Sequence, residues 1–589
     1  MDSETRQSDK SPKGHLDGPV TISAKRNLVG CQNCKQEFVI EPDDFAFYEK
    51  IKVPPPTWCP MCRLQRRLSF MFERSLYKRP CALCGKSCVS NFSPDKKIIT
   101  YCSECWWSDK WDAMDYRRDY NPSQPFLEQV RELAAETPYY TIQQDYLTLV
   151  NSNYTAYCGN LKNCYLVTIA DFCENAMYSH ILVNVKDSSD CTMIGESELC
   201  YGSINIGGCY STHFSEDSNN CYDCYFVKNC IGCNSCFGCM NLRNKKYHIF
   251  NKPYTKEEYE TKIKEFKLNT YLGLKEAGNK AVAFWLTQPH KYMHDRLNNR
   301  VTGDYVYNSK NVFDGYQMRG AEDCRYVSFL TIPPTKDSYD YTEWGNNASR
   351  IYECTAVGEY VDNIKFCVDV WSHCHNVEYS LTCGVCSDCF GCSKLRNKQY
   401  CILNKQYTKE EYEKLKAKII RDMDENPYQD EQGRVYKYGE FFPPSFSPSC
   451  YNESDAMDYF PLSEKEVLAF SGQWYKAVPS AHMPTIQAKD LLDAIEEVSD
   501  SILKEIIECD TCHNAFKIIT PEFALLKRFG LPLPRKCHNC RYKERLSHIN
   551  PVSLWDRQCA KCGKDIKTSY APERPEIVYC EACYNNEVA

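Results

Sequence analysis

Thirty-nine cysteines in a chain of 589 residues are the first chemistry this sequence offers. Sixteen of them follow one ruler. Near the N-terminus the pairs are Cys31/Cys34, Cys59/Cys62, Cys81/Cys84 and Cys102/Cys105. Near the C-terminus they are Cys509/Cys512, Cys537/Cys540, Cys559/Cys562 and Cys580/Cys583, each 478 residues after its counterpart. Each set reads C-x2-C-x24-C-x2-C followed by C-x2-C-x17-C-x2-C. One CxxC turn presents two thiolates, and a second completes the tetrahedron that Zn²⁺ takes, with Zn–S about 2.3 Å. Four cysteines leave no position for water, so the spacing predicts four structural zinc sites rather than catalytic ones. Sequential closure is favoured, because EPDDFAFYEK and TPEFALLKR read as short helices inside the first loop of each set. Closure of Cys59/Cys62 with Cys81/Cys84 stays open as the alternative.

The 478-residue offset also links Phe45 to Phe523, Pro54 to Pro532, Arg63 to Arg541, Arg67 to Arg545, Gly85 to Gly563 and Tyr101 to Tyr579. The ends are therefore an internal duplication. The segment CQNCKQEFVIEPDDFAFYEKIKVPPPTWCPMCRLQRR resembles the zinc-ribbon domain family with the pattern CxxC-x-x-F…F-Y…P-P…C-P-x-C-R. RQCAKCGKDIKTSYAPERPEIVYCEACY resembles the CxxC-x17-CxxC domain family. The C-terminal first ribbon departs with His-Asn in CHNC. These resemblances imply zinc ligation by the sixteen cysteines and no defined activity.

Between the ends lies a second duplication. SCFGCMNLRNKKYHIFNKPYTKEEYE (235–260) recurs as DCFGCSKLRNKQYCILNKQYTKEEYE (388–413). Thr255/Glu258 and Thr408/Glu411 are capping boxes that open helices. Upstream, the chain cuts into nine-residue lines from Cys164, such as CYLVTIADF and CENAMYSHI, with cysteine recurring at the first position. Short β-prone lines with turn residues predict a solenoid with cysteines stacked inside, two nonads making an 18-residue rung. There the cysteines read as small buried filler. The rival reading is metal, with ligands Cys230, Cys233, Cys236 and Cys239 in the first copy and Cys383, Cys386, Cys389 and Cys392 in the second. These runs approach the ferredoxin pattern, one residue short and without its proline. An iron–sulfur cluster is disfavoured but stays open.

Moving outward to the elements that hold these groups, the expected fold class is mainly β with short helices. Duplicated four-cysteine zinc ribbons at both ends flank a Cys-rich β-solenoid-like centre. The expected order is a disordered tail (1–26), an N-terminal double zinc ribbon (27–120) and a helical linker (121–150). A Cys-rich β-solenoid repeat (151–253), a helical connector (254–300) and a second such repeat (301–406) follow. A helical or irregular linker (407–508) and a C-terminal double zinc ribbon (509–589) complete it. Helices are expected near 122–136 and over 490–507. The whole pattern resembles uncharacterised bacterial cysteine-rich proteins that pair such ribbons with a CxxC-dense middle. Some relatives carry a CaiB/BaiF acyl-CoA-transferase label, but this chain has no recognisable CoA-binding α/β pattern and no carboxylate that stands out as a nucleophile.

Charge and composition bound the partners. No apolar run reaches the roughly 20 residues that a bilayer span needs, and the polar N-terminus lacks an export leader, so a cytoplasmic location with reduced thiols is expected. The net charge of −7 argues against a basic nucleic-acid binder by composition. Locally, RLQRRLSFMFERSLYKR and RYKERLSHINPVSLWDR interleave arginine with aromatics. That pattern suits stacking and phosphate contact with single-stranded nucleic acid through Arg63, Arg66, Arg67, Arg541 and Arg545. The plain alternative is that these arginines cap thiolates or bridge to acidic residues. Three classes follow: a zinc protein binding nucleic acid, a protein-interaction scaffold without catalysis, and an enzyme or metal-cluster/redox protein. Enzymatic activity is left open, the balance lying against it, as are partner and oligomeric state.

Overall fold

The computed structural model describes residues 27–477 and 482–588; the tail expected over 1–26 lies outside them. Among the described residues, strands account for 34% and the 12 helices are short, so this part of the chain is mainly β. The centre is two large, mostly parallel sheets. The first runs in sequential order through nine strands, from Thr155–Lys162 to Lys252–Pro253. Thr155 pairs with Val167, Tyr165 with Met177, and His180 with Thr192, so each strand meets the next 12 residues on. The 18-residue interval expected from two nonads is thereby corrected to 12.

Triplets explain the interval. Every third residue has a positive φ, as at Asn160, Asn163, Leu166 and Ile169, with φ of 50, 54, 51 and 52°. The residue after each of these faces inward: Leu161, Cys164, Val167 and Ala170 are all buried. Left-handed backbone favours Asn, Asp and Gly, and one line of corners is a ladder of amides. Asn151 donates to Asn163 at 3.1 Å, Asn163 to Asn175 at 3.2 Å and Asn175 to Asp187 at 2.7 Å.

Inside, cysteine stands where serine or threonine also stands. The Cys221 thiol donates to the carbonyls of Asn219 (3.5 Å) and Cys230 (3.6 Å), two residues back and nine ahead. The Thr212 hydroxyl makes the same pair of contacts, to Tyr210 (3.2 Å) and Cys221 (3.1 Å). A narrow interior selects small side chains with a weak donor, and cysteine is one.

The second sheet, from Asp295–Arg296 to Lys405–Gln406, is less regular. Its interval widens at Ala321 with Thr335 and at Ile351 with Ile364. Four strands, Ala321–Arg325, Thr335–Lys336, Tyr339–Gly345 and Ala348–Gly358, close a ring of pairings. Each sheet ends in an antiparallel return and a helix opened by the expected capping box, Thr255/Glu258 or Thr408/Glu411. Those helices lay Tyr259 and Tyr412 on the last turns, which covers the open sheet ends.

The helix expected near 122–136 spans Phe126–Glu136. The helix expected over 490–507 is absent. That stretch makes separate 3-10 turns at Ile495–Glu497 and Asp500–Lys504. Leu491, Ile495, Val498 and Ile502 are all buried, so the apolar spacing is used, but against a neighbouring segment. Ile495 donates to the Asn269 carbonyl and Tyr271 donates to that of Asp493, which diverts the backbone groups a helix would pair internally.

Candidate metal centres and their docking helices

The sixteen ruled cysteines converge in four groups. Cys31/Cys34/Cys59/Cys62, Cys81/Cys84/Cys102/Cys105, Cys509/Cys512/Cys537/Cys540 and Cys559/Cys562/Cys580/Cys583 each place all ligand atoms within 4.8 Å of one another. The closure is sequential in both ends. The sulfur separations are 3.8 Å for Cys34–Cys59, 3.9 Å for Cys84–Cys102, 3.7 Å for Cys512–Cys537 and 3.8 Å for Cys562–Cys580. A tetrahedron with metal–sulfur bonds of about 2.3 Å has edges of about 3.8 Å, so the donor sets fit a tetrahedral metal.

Local sequence builds each group the same way. The residue after the second cysteine is left-handed in all four: Lys35 (φ 64°), Gly85 (76°), His513 (60°) and Gly563 (72°). Its N–H closes the knuckle on the first cysteine's carbonyl at 2.9–3.1 Å. The third cysteine's backbone N–H points at the first sulfur at 3.2 Å in every group. The third cysteine also opens a helix, so each group sits at a helix N-terminus, where negative sulfur is favoured.

The central runs behave differently, and the metal reading of them is corrected. Among the described residues, Cys230, Cys233, Cys236 and Cys239 are not among the groups gathered within 4.8 Å, and neither are Cys383, Cys386, Cys389 and Cys392. Spacing of three places successive thiols on successive sides of the turn, each facing backbone carbonyls. Cys230 donates to Lys228 at 3.5 Å and Cys389 to Ser387 at 3.4 Å. Cys392, expected as the last ligand of the second run, is not placed as one. It is fully buried, and its thiol donates instead to the carbonyls of Phe390 at 3.7 Å and Cys401 at 3.4 Å. Those are the contacts of the filler role, two residues back and nine ahead.

Four helices mount the groups on the sheets: α1 (Pro42–Ile51), α2 (Pro60–Leu68), α3 (Thr520–Phe529) and α4 (His538–Ser547). On α2 and α4 lie the arginines expected to meet nucleic acid, and here the expectation is corrected. Arg63, Arg66 and Arg67 are 1%, 0% and 0% exposed, and Arg541 and Arg545 are 9% and 6%. Each is consumed by the central sheets. Arg63 pairs with Asp340 (2.8 Å), Arg66 with Glu353 and Glu440 (both 3.1 Å), and Arg67 with Asp340 and Glu353 (both 3.2 Å). Arg541 pairs with Asp190 and Glu522 (both 3.0 Å), and Arg545 with Asp190 (2.9 Å). Arg67 Nε donates to Thr342 at 3.0 Å; Arg545 Nε donates to Thr192 at 3.2 Å. The N-terminal module thus docks on the second sheet and the C-terminal module on the first. Facing carboxylates raise the affinity of Arg63 and Arg541 for their protons despite burial.

Sequence reasoning does not single out these carboxylates, although a signal exists. Ser188-Ser189-Asp190-Cys191-Thr192 and Ser338-Tyr339-Asp340-Tyr341-Thr342 share S-x-D-x-T. Further ionisable groups lie where the chain leaves α2, between the two sheets. Glu73 is fully buried beside Arg74, Asp455 and Asp458, and burial pushes its carboxyl up to about 7. His180 Nδ1 lies 4.0 Å from its Oε1, and burial holds that imidazole neutral, pushed down to about 3.

No family model and no curated protein matches the chain. Among solved structures, a "putative acetyltransferase" from Desulfovibrio desulfuricans G20 aligns over 49% of this chain and 86% of its own, at 10% identity and a TM-score of 0.10. At that score the likeness carries no argument about fold or activity.

Proposed function

We propose that the protein is a non-catalytic scaffold: a β-solenoid-like centre whose two repeats are clamped by duplicated zinc ribbons holding four Zn²⁺. The observation that supports this most is the set of four closed cysteine groups with sulfur separations of 3.7–3.9 Å. Thiolates select zinc over hard cations, and a closed tetrahedron contributes folding energy rather than an open coordination position. Zinc would be held by the sixteen cysteines, and its chemistry there is cross-linking of knuckles. The arginines beyond each knuckle serve the clamp, which leaves binding to surfaces of the assembled body. Among the described residues, no helix is long and apolar enough to cross a membrane. A reducing compartment, the cytoplasm, suits a chain with this many thiols.

Native mass spectrometry with elemental analysis tests the reading. Four zinc ions per chain are expected; two or fewer in fully metallated protein, or iron in their place, would overturn it.

A further inference from the structure

A cleft of about 510 Å³ lies between the first sheet, the start of the second and the C-terminal module. One wall is the cross-strand row Gly195–Gly207–Asn219–Ile231–Arg243. Two glycines there leave a recess where side chains would otherwise stand. The opposite wall is the row Arg296–Tyr307–Arg319, in which Tyr307 pairs laterally with both arginines. Adjacent strands are about 4.8 Å apart, so the two arginines stand on either side of Tyr307 in the row. Arg296 stands 5.9 Å from that ring's centroid.

The floor is internally satisfied. His294 bonds Asp304 at 2.9 Å and faces Asp217 at 3.5 Å; Lys228 faces Asp217 at 3.7 Å. Asn205 donates to Asp217 at 2.8 Å and to the Tyr307 hydroxyl at 2.9 Å. Lys291 at the rim is taken by Asp295 (2.6 Å) and Glu581 (3.2 Å). Among the described residues, Arg243, Arg296 and Arg319 make no ion pair with a carboxylate. Arg243 is held by backbone carbonyls, those of Leu242 at 3.1 Å and Asn229 at 2.5 Å. The lining also holds the carboxylates Glu196, Asp217 and Asp295, but Asp217 is taken by His294 and Lys228 and Asp295 by Lys291, so the three arginines leave the cleft with surplus positive charge.

We propose that this cleft binds a small molecule bearing phosphate or carboxylate groups, held by Arg296 and Arg319 on one wall and Arg243 on the other. A guanidinium fork matches the oxygens of either group, and a concave site with surplus positive charge concentrates anions. Asn205, on the floor, orients the tyrosine through its hydroxyl.

Calorimetry on the zinc-loaded full chain at low ionic strength, with pyrophosphate and citrate as separate probes, tests it. One-to-one binding of pyrophosphate alone identifies a phosphate ligand, of citrate alone a carboxylate ligand, and either supports the site. An Arg296→Gln/Arg319→Gln variant, both positions being exposed, is expected to keep its zinc and to bind at least about tenfold more weakly, the loss of two charge-assisted contacts. A Lys256→Gln/Lys409→Gln control on the capping helices is expected to bind as wild type. Binding of neither probe, or equal weakening by both variants, would overturn the proposal.

Discussion

The two terminal modules share one cysteine spacing, yet they dock with different charge. α2 buries three arginines and α4 buries two, because Glu544 stands where α2 has Arg66. The receiving surfaces differ in step. Asp340, Glu353 and Glu440 meet the N-terminal helix; on the first sheet Asp190 meets the C-terminal one, whose Arg541 also pairs with Glu522 on α3 of its own module. Where Arg66 enters the interior, Glu353 and Glu440 enter with it, and where Glu544 replaces it the side chain stays outside, paired with Lys536 at 2.9 Å. A buried guanidinium without a partner is costly, so the count of buried cations tracks the count of buried carboxylates. The interface acquires specificity from that match: either helix on the wrong sheet would strand a charge.

The largest effect expected concerns what the modules share. Cys34→Ser and Cys512→Ser should each remove one zinc and unfold only the ribbon concerned, because apparent binding energies of about 10–16 kcal/mol fold such sites locally. Native mass spectrometry and hydrogen exchange check this. Loss of protection in both modules after a single substitution would show that the docks are coupled, and the comparison would have to treat them as one unit.

The next effect is asymmetric. Arg66→Met leaves Glu440 without its guanidinium in a buried site, a cost of about 3–5 kcal/mol. Glu544→Met changes an exposed position and should stay within about 0.5 kcal/mol. Denaturant midpoints of the two variants decide; equal costs would mean that α2 does not depend on its third pair.

The ends were legible because metal ligation demands residue type and spacing together, and a repeated ruler leaves little freedom. The centre was legible in kind but not in period. Cysteines nine apart, such as Cys164 and Cys173, both face inward because nine is three triplets, although the turn closes after four. The regular feature visible in the sequence was thus a multiple of the true unit. The same triplet explains why the run ending at Cys392 imitates a cluster motif: a spacing of three marks one inward position per side, not four ligands around one ion. The arginines were misread because exposure is not written in sequence. Arg63 and Arg67 look alike on a surface or in an interior until Asp340 and Glu353 are brought to them from about 280 residues away. The apolar spacing over 490–507 failed for a related reason, since the groups that competed for its backbone, near Asn269 and Tyr271, lie far off in the chain.

A smaller effect separates the docks by pH. Glu73 follows α2, and the matching position after α4 is Pro551. Burial raises the Glu73 carboxyl from 4.5 to about 7, with Arg74 opposing and Asp458 adding to the rise. A raised carboxyl gives stability that is present below about pH 4.5 and lost as pH climbs through about 7. The loss is at most about 3 kcal/mol, shared with the neighbouring Asp455 and Asp458. Glu73→Gln should therefore flatten the stability profile between about pH 5.5 and 7.5, a range in which thiolate sites keep their zinc. An unchanged slope in thermal unfolding would remove Glu73 from the account.

The smallest effect lies on the other dock. His548 follows α4, and Phe70 holds the matching position after α2, packed on Phe441 at 5.4 Å. His548 Nδ1 meets Glu216 Oε1 at 2.7 Å, and that hydrogen bond raises its proton affinity against burial and the charge of Lys228, with Glu544 assisting. Its contribution is full below about pH 6.5 and lost as pH rises through the raised folded value. The side chain is 42% exposed, so solvent screens the pair and the contribution stays below about 1 kcal/mol. Hydrogen exchange between about pH 7 and 9, corrected for intrinsic rates, should show slight loosening of α4 in wild type and none in His548→Gln, which keeps a donor but no titration. α2, with Phe70 in place of the imidazole, should not respond in either protein. Equal loosening of both helices would mean that a shared group, not the residue that distinguishes the two docks, sets the response.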